Sequence, residues 1–154
     1  MSIQDNYTQN YERGFIGQRM RVNAPWDADA VVIESATLKI GDAFKFDANG
    51  RAIACAGVDT DFEGILMYSP NRLNTVDNKT IGVFEVGKKV EYMKEGYILG
   101  VASGDLKKGD KLLWDATSSG WKLAGTATPV HPAFAVEDAD SGSMLIVQIA
   151  PRVA

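Results

Sequence analysis

The chain has 154 residues, 45% of them hydrophobic and 23% charged, with a net charge of −4 and a single cysteine and histidine. Such a length suits one domain that buries roughly 70% of the surface its unfolded chain would expose. Lone Cys55 excludes an intrachain disulfide, mixed charge without a basic face argues against a nucleic-acid partner, and no apolar run could span a bilayer as a helix.

Residues 1–13, rich in Asn, Gln and Tyr, show neither the strand nor the helix period and read as an extended arm ahead of a domain at 14–154. Their polar character is not that of a signal peptide, and Cys55, inside the apolar run Ala52 to Ala56, reads as a buried thiol; both predict synthesis in a reducing cytoplasm. Gly14 to Val22 reads as the first strand. Asn23 to Ala30, with Pro25 and Trp26, reads as a loop, and Val31 to Glu34 resumes an extended run.

Leu38 to Ala48, LKIGDAFKFDA, returns as Leu106 to Ala116, LKKGDKLLWDA. In each copy a Gly-Asp step leads into a short strand that ends at Asp-Ala and a turn. Gly41 and Gly109 can take positive φ without steric cost, while Asp42 and Asp110 can hydrogen-bond the local backbone. Replacing either aspartate by Asn is expected to cost about 1 kcal/mol of stability through lost turn bonds. The first copy predicts strands Ala43 to Phe46 and Arg51 to Ala56 around an Asn49-Gly50 turn.

Phe62 to Tyr68 reads as a strand, Ser69 to Thr80 as a loop between the halves, and Ile81 to Val86, Lys88 to Met93 and Gly96 to Ala102 as a three-strand meander. The second copy places Trp114 and Trp121 as cross-strand neighbours. Ala133 to Glu137 and Met144 to Ile149 close the chain, with Leu145, Val147 and Ile149 on one face. Short strands with turn chemistry between them predict an all-β fold: a compact β-barrel or sandwich of two related half-units, with an extended N-terminal arm.

Candidate chemistry is sparse. His131 lies between Pro129 and Pro132 and reads as a loop-packing or surface residue. With one His and one Cys the usual zinc ligand set cannot be assembled in one chain. Asp59 to Gly64 begins like a calcium loop, but Pro70 stands where the bidentate Glu is required. Asp138 and Asp140 read as a solvated acidic turn. No cofactor and no catalytic set is expected. A small enzyme or ligand-binding barrel using Asp42, Asp110 or His131 is one alternative, and a tail or baseplate component or β-barrel adaptor is another.

The order Gly14-Phe15-Ile16-Gly17, Ile40-Gly41-Asp42-Ala43, Phe62-Glu63-Gly64-Ile65, Gly96-Tyr97-Ile98-Leu99-Gly100-Val101 and Lys108-Gly109-Asp110-Lys111-Leu112-Leu113-Trp114 resembles the capsid cement, or head decoration, proteins of tailed bacteriophages. The resemblance implies a non-enzymatic protein on the outer surface of the expanded shell, made in the bacterial host cytoplasm. It further implies the major capsid protein as partner, a homotrimer on the capsid, and stabilisation by bridging capsid subunits. It gives the arm a gripping role, carried here by Tyr7, Tyr11, Arg13 and Phe15. Trp26, in its Pro-led loop, is a candidate interface anchor or a plug over the end of the barrel.

Overall fold

A computed structural model describes residues 16–21, 24–67 and 83–153, so the expected arm, Gly14, Phe15 and the loop Ser69 to Thr80 lie outside the described residues. The described chain holds eleven strands in one sheet and no helix. As expected, the fold is all-β, though the sheet as a whole is not a closed barrel. It consists of two similar rolls that share one strand.

The first roll comprises β2 (Asp27–Val32), β3 (Ala43–Phe46), β4 (Ala52–Ala54), β6 (Gly64–Leu66) and the first half of β7 (Lys89–Val101). Hydrogen bonding orders them β2-β7-β6-β3-β4, and a parallel bridge between Ile33 and Ala52 brings the ends of this series together. The second roll comprises the remainder of β7, β8 (Lys111–Asp115), β9 (Gly120–Leu123), β10 (Ala133–Ala135) and β11 (Met144–Ile149). Its order is β7-β11-β10-β8-β9, and a parallel bridge between Ala102 and Trp121 joins its ends in the same way. The strand after each Gly-Asp turn, β3 in one roll and β8 in the other, holds the same place. Two related half-units are therefore present in topology as well as in sequence.

Each Gly-Asp turn has the same bonds. The N–H of Asp42 donates to Lys39 O, and Asp42 Oδ2 accepts the N–H of Lys39 at 3.1 Å; Asp110 does the same with Lys107, at 2.8 Å. Gly41 and Gly109 supply the φ of +86° and +91° that a type II turn demands at its third position. Leu38 and Leu106, ahead of the turns, are each 1% exposed and drive the turns onto the core.

Period-two alternation sends Phe44, Leu66, Val90 and Tyr92 into the first roll with Val31 and Leu38. Ala43, Ile65 and Met93 point the other way, into a larger core with Ile98, Trp114, Trp121, Leu145, Val147 and Ile149. Trp114 and Trp121 are directly paired across β8 and β9, with ring centroids 5.3 Å apart and planes inclined at 69°.

Several expected boundaries differ. Lys88 to Met93 and Gly96 to Ala102 form one continuous strand, because Gly96 (φ +139°) marks the place where β7 changes partners from β2 and β6 to β11 and β1 (Arg19–Met20). Lys94-Glu95-Gly96 is thus a bulge within a strand, set by the register shift between Asp27 and Ala28. The expected loop Asn23 to Ala30 yields four residues to β2, whose Asp and Ala alternate between solvent and sheet. The expected first strand is reduced to β1 (Arg19–Met20), and β5 (Val58–Asp59) was not anticipated. It leaves the first half-unit and pairs with β8 of the second.

Candidate interaction surface

Ile16 and Gly17, where the described chain begins, pack against the first Gly-Asp turn. Gly17 N–H donates to Leu99 O at 2.8 Å, Leu99 N–H donates to Gln18 O at 3.1 Å, and Gly41 N–H donates to Leu66 O at 2.8 Å. A Cβ on Gly17 (φ +81°) would stand 2.9 Å from Gly41 N and 3.2 Å from Leu66 O, so only glycine fits here. The chain at Ile16 to Gln18 is therefore pinned between the first turn and the middle of β7.

β1 follows at once, pairing Arg19 with Ile98 and Met20 with Tyr97. The Arg19 guanidinium lies 4.0 Å from the centroid of the Trp26 ring, and that of Arg21 lies 4.6 Å from the Tyr97 ring. A cation–π contact of this kind contributes about 0.5–1 kcal/mol at an exposed site and favours the stacked placement of the ring. Trp26 is 44% exposed, while its Cβ rests where a side chain on Gly96 would be. It is neither buried as a plug nor free: the residue is propped against the β7 bulge with Arg19 over its ring and less than half of its surface open to solvent. Of the residues expected at an interface, Trp26 alone lies among those described, and Tyr7, Tyr11, Arg13 and Phe15 lie outside them. Arg19, Arg21 and Tyr97 were not anticipated; the alternation of two arginines ahead of the Trp26 loop was the available signal.

The groups weighed for catalysis are occupied structurally. His131 is 1% exposed, stacked on Phe62 with centroids 4.5 Å apart, with Nε2 2.8 Å from Lys94 O and Nδ1 3.1 Å from Phe62 O. It packs the junction and reaches the bulge carbonyl of β7. A surface location for His131 is thus corrected in favour of packing, because its ring completes the aromatic stack.

Asp59 accepts the N–H of Asp61 and pairs with Lys45 Nζ at 3.3 Å. Asp61 and Glu63 both pair with Arg152 near the C-terminus. Hydrogen bonding to Glu63, more than the neighbouring charges, holds the Arg152 guanidinium above its usual range. Asp138 accepts Lys108 N–H at 2.8 Å. Among the described residues no three His, Cys, Asp or Glu side chains converge as metal ligands.

Two other groups are perturbed. Burial pushes the Asp42 carboxyl up to about 6, against the opposing pull of the Lys39 N–H and charge. Burial, together with the neighbouring Asp59, pushes the Cys55 thiol up to about 12.

In a comparison with protein families, the model of a phage cement family, described as structural cement protein (E217 gp24/Pam3 gp6), matches residues 3–150. No curated protein matches the chain.

Proposed function

The chain belongs to the structural cement proteins of phages, and on that premise we propose that it binds the outer surface of the expanded capsid and bridges neighbouring major capsid subunits. Association with the capsid follows from the family. The finer reading rests on the exposed Trp26 ring, held by Arg19 beside the root of the arm. Aromatic and arginine side chains are the residues most enriched at the energetic centres of interfaces. Here they sit on a scaffold that leaves them little freedom to lose on docking.

In this reading the arm supplies the second half of the grip through Tyr7, Tyr11, Arg13 and Phe15. Three copies gather around a symmetry axis of the shell. Each contact can be modest because many copies act on one lattice, and binding only the expanded form stabilises that form by mass action. The protein acts without catalysis: its carboxylates and its histidine serve turns, ion pairs and packing.

Co-sedimentation of the purified chain with expanded and unexpanded shells of its own phage tests this, using the intact chain and a chain lacking residues 1–13. Saturable binding to expanded shells alone, weakened by the truncation, is the expected result. Absence of binding to both shells would overturn the capsid reading and favour a tail or baseplate location.

A further inference from the structure

The two Gly-Asp turns are alike in backbone and unlike in surroundings. Asp110 makes its turn bond at the surface, so the turn itself does not require burial. Asp42 is 8% exposed and borders a cavity of about 260 Å³ where the two half-units meet. Asp59, the other buried carboxylate nearby, has its own counter-ion in Lys45. Asp42 has one oxygen on the Lys39 N–H and feels the Lys39 charge, but among the described residues no cation stands within ion-pair distance of it.

The cavity is shaped for an organic group. Thr37, Lys39, Asp42 and Cys55 line it from the first half-unit, Trp114 and Ser119 from the second, and the short side chains of Ala43, Ala54 and Ala116 leave the space open. A volume near 260 Å³ exceeds what a metal ion needs, and a single carboxylate with two hydroxyls is a poor metal set. An ammonium has three donors and no acceptor, matching one carboxylate and two hydroxyls, while Trp114 offers an apolar wall to an alkyl stem. A guanidinium would ask for both carboxylate oxygens in a fork, and one of them already serves the turn.

We propose that this cleft binds one alkylammonium group, with the Asp42 carboxylate as its counter-ion. The group could belong to a free amine or to a lysine side chain of a protein docked over the cleft. The inference does not depend on the capsid reading. Burial keeps the empty carboxyl largely protonated below about pH 6, so the ligand binds the ionised form. The titratable and charged groups around it are Lys39 on its own turn, Cys55 after β4, Asp59 on β5 and Lys45 on β3. Lys39, the nearest of these cations, competes with the ligand.

Two-dimensional amide NMR of the full chain tests the site, with n-butylammonium as probe and n-butanol as its uncharged control. The expected result at pH 7.5 is a saturable shift at the amides of Asp42, Cys55 and Ser119, about tenfold weaker at pH 5. It should be absent with n-butanol and in Asp42→Asn, and tighter in Lys39→Met. Ala116→Leu, which fills the cleft and leaves the carboxylate in place, should abolish it too, separating loss of the site from loss of the fold. A parallel titration with acetyl-Gly-Lys-Gly-amide distinguishes the sources: shifts with the peptide point to a docked lysine, and shifts with the free amine alone point to a small molecule. No shift with either amine, or equal shifts with n-butanol or in Asp42→Asn, would overturn the proposal.

Discussion

Gly17 and Gly41 meet face to face: a methyl group on Gly17 would stand 2.9 Å from the amide nitrogen of Gly41, and one on Gly41 would stand 3.4 Å from that of Gly17. Gly50, also at positive φ (+76°), has no atom within 4 Å of its Cβ position. Gly50→Ala should therefore cost about 1 kcal/mol from backbone strain alone, and Gly17→Ala about 3 kcal/mol from strain plus overlap. Urea unfolding of the two variants checks the difference, and equal losses would mean that Gly17 and Gly41 are not in contact.

Asp42→Asn and Asp110→Asn should part company. For Asp42 the folded-state value, about 6, lies above the ordinary carboxylate value of 3.8, so the folded protein holds the proton more tightly than the unfolded chain. Ionisation then works against folding, by about 3 kcal/mol above pH 7, and the penalty is relieved as the pH falls from 6 towards 4. Asn keeps a carbonyl for the Lys39 N–H and removes the buried charge. Asp42→Asn should thus be more stable than the parent at pH 7.5 and no better at pH 4, reversing the loss expected from turn chemistry. Asp110→Asn should lose about 1 kcal/mol or less at either pH. Chemical denaturation at both pH values measures this.

Cys55 should resist thiol reagents. It is 7% exposed, and its thiol is pushed up to about 12, so almost no thiolate is present at pH 8. Its labelling rate by Ellman's reagent should follow the opening of the fold and rise steeply near the urea midpoint. Rapid labelling of native protein would contradict the packing described.

His131→Ala should lower stability by about 3 kcal/mol, since it opens a cavity beside Phe62 and leaves the Lys94 carbonyl without its ring partner. Thermal unfolding reads this directly. The variant, held below its melting temperature, should still bind expanded shells.

Trp26→Ala should do the opposite. An exposed ring contributes little to folding, so the melting temperature should move by only a few degrees, while affinity for expanded shells should fall at least about tenfold. Arg19→Ala should follow it more weakly, by freeing the ring. Unchanged binding by both variants would place the docking surface elsewhere.

Much of the architecture is legible in short-range patterns. The paired Leu-Lys-x-Gly-Asp turns announce the two half-units because each needs a positive-φ glycine and an aspartate that bonds back three residues, requirements local enough to be written in five letters. The Trp114–Trp121 pairing and the inward face of β11 follow from strand period in the same way. What escapes is long-range. Gly96 looks like a hairpin turn beside Lys94 and Glu95, since glycine in a turn and glycine at a change of partner strands are the same letter. β5 escapes because its two residues are a strand only by virtue of β8. In the interaction surface Trp26 is legible as an odd aromatic in a loop. Its partner Arg19 is not, because the stack depends on how β1 and the following loop meet at the β7 bulge.

The shared strand β7 has a mechanical consequence. Gly17 and Gln18 are bonded to Leu99, inside the longest of the described strands. Tension applied N-terminal to Gly17 would be passed by hydrogen bonds to a strand whose first half is flanked by β2 and β6 and whose second half is flanked by β1 and β11. β7 itself could give way there only by shearing several ladders at once, so the short β1, paired with β7 alone among the described residues, would peel away first and leave the shared strand in place.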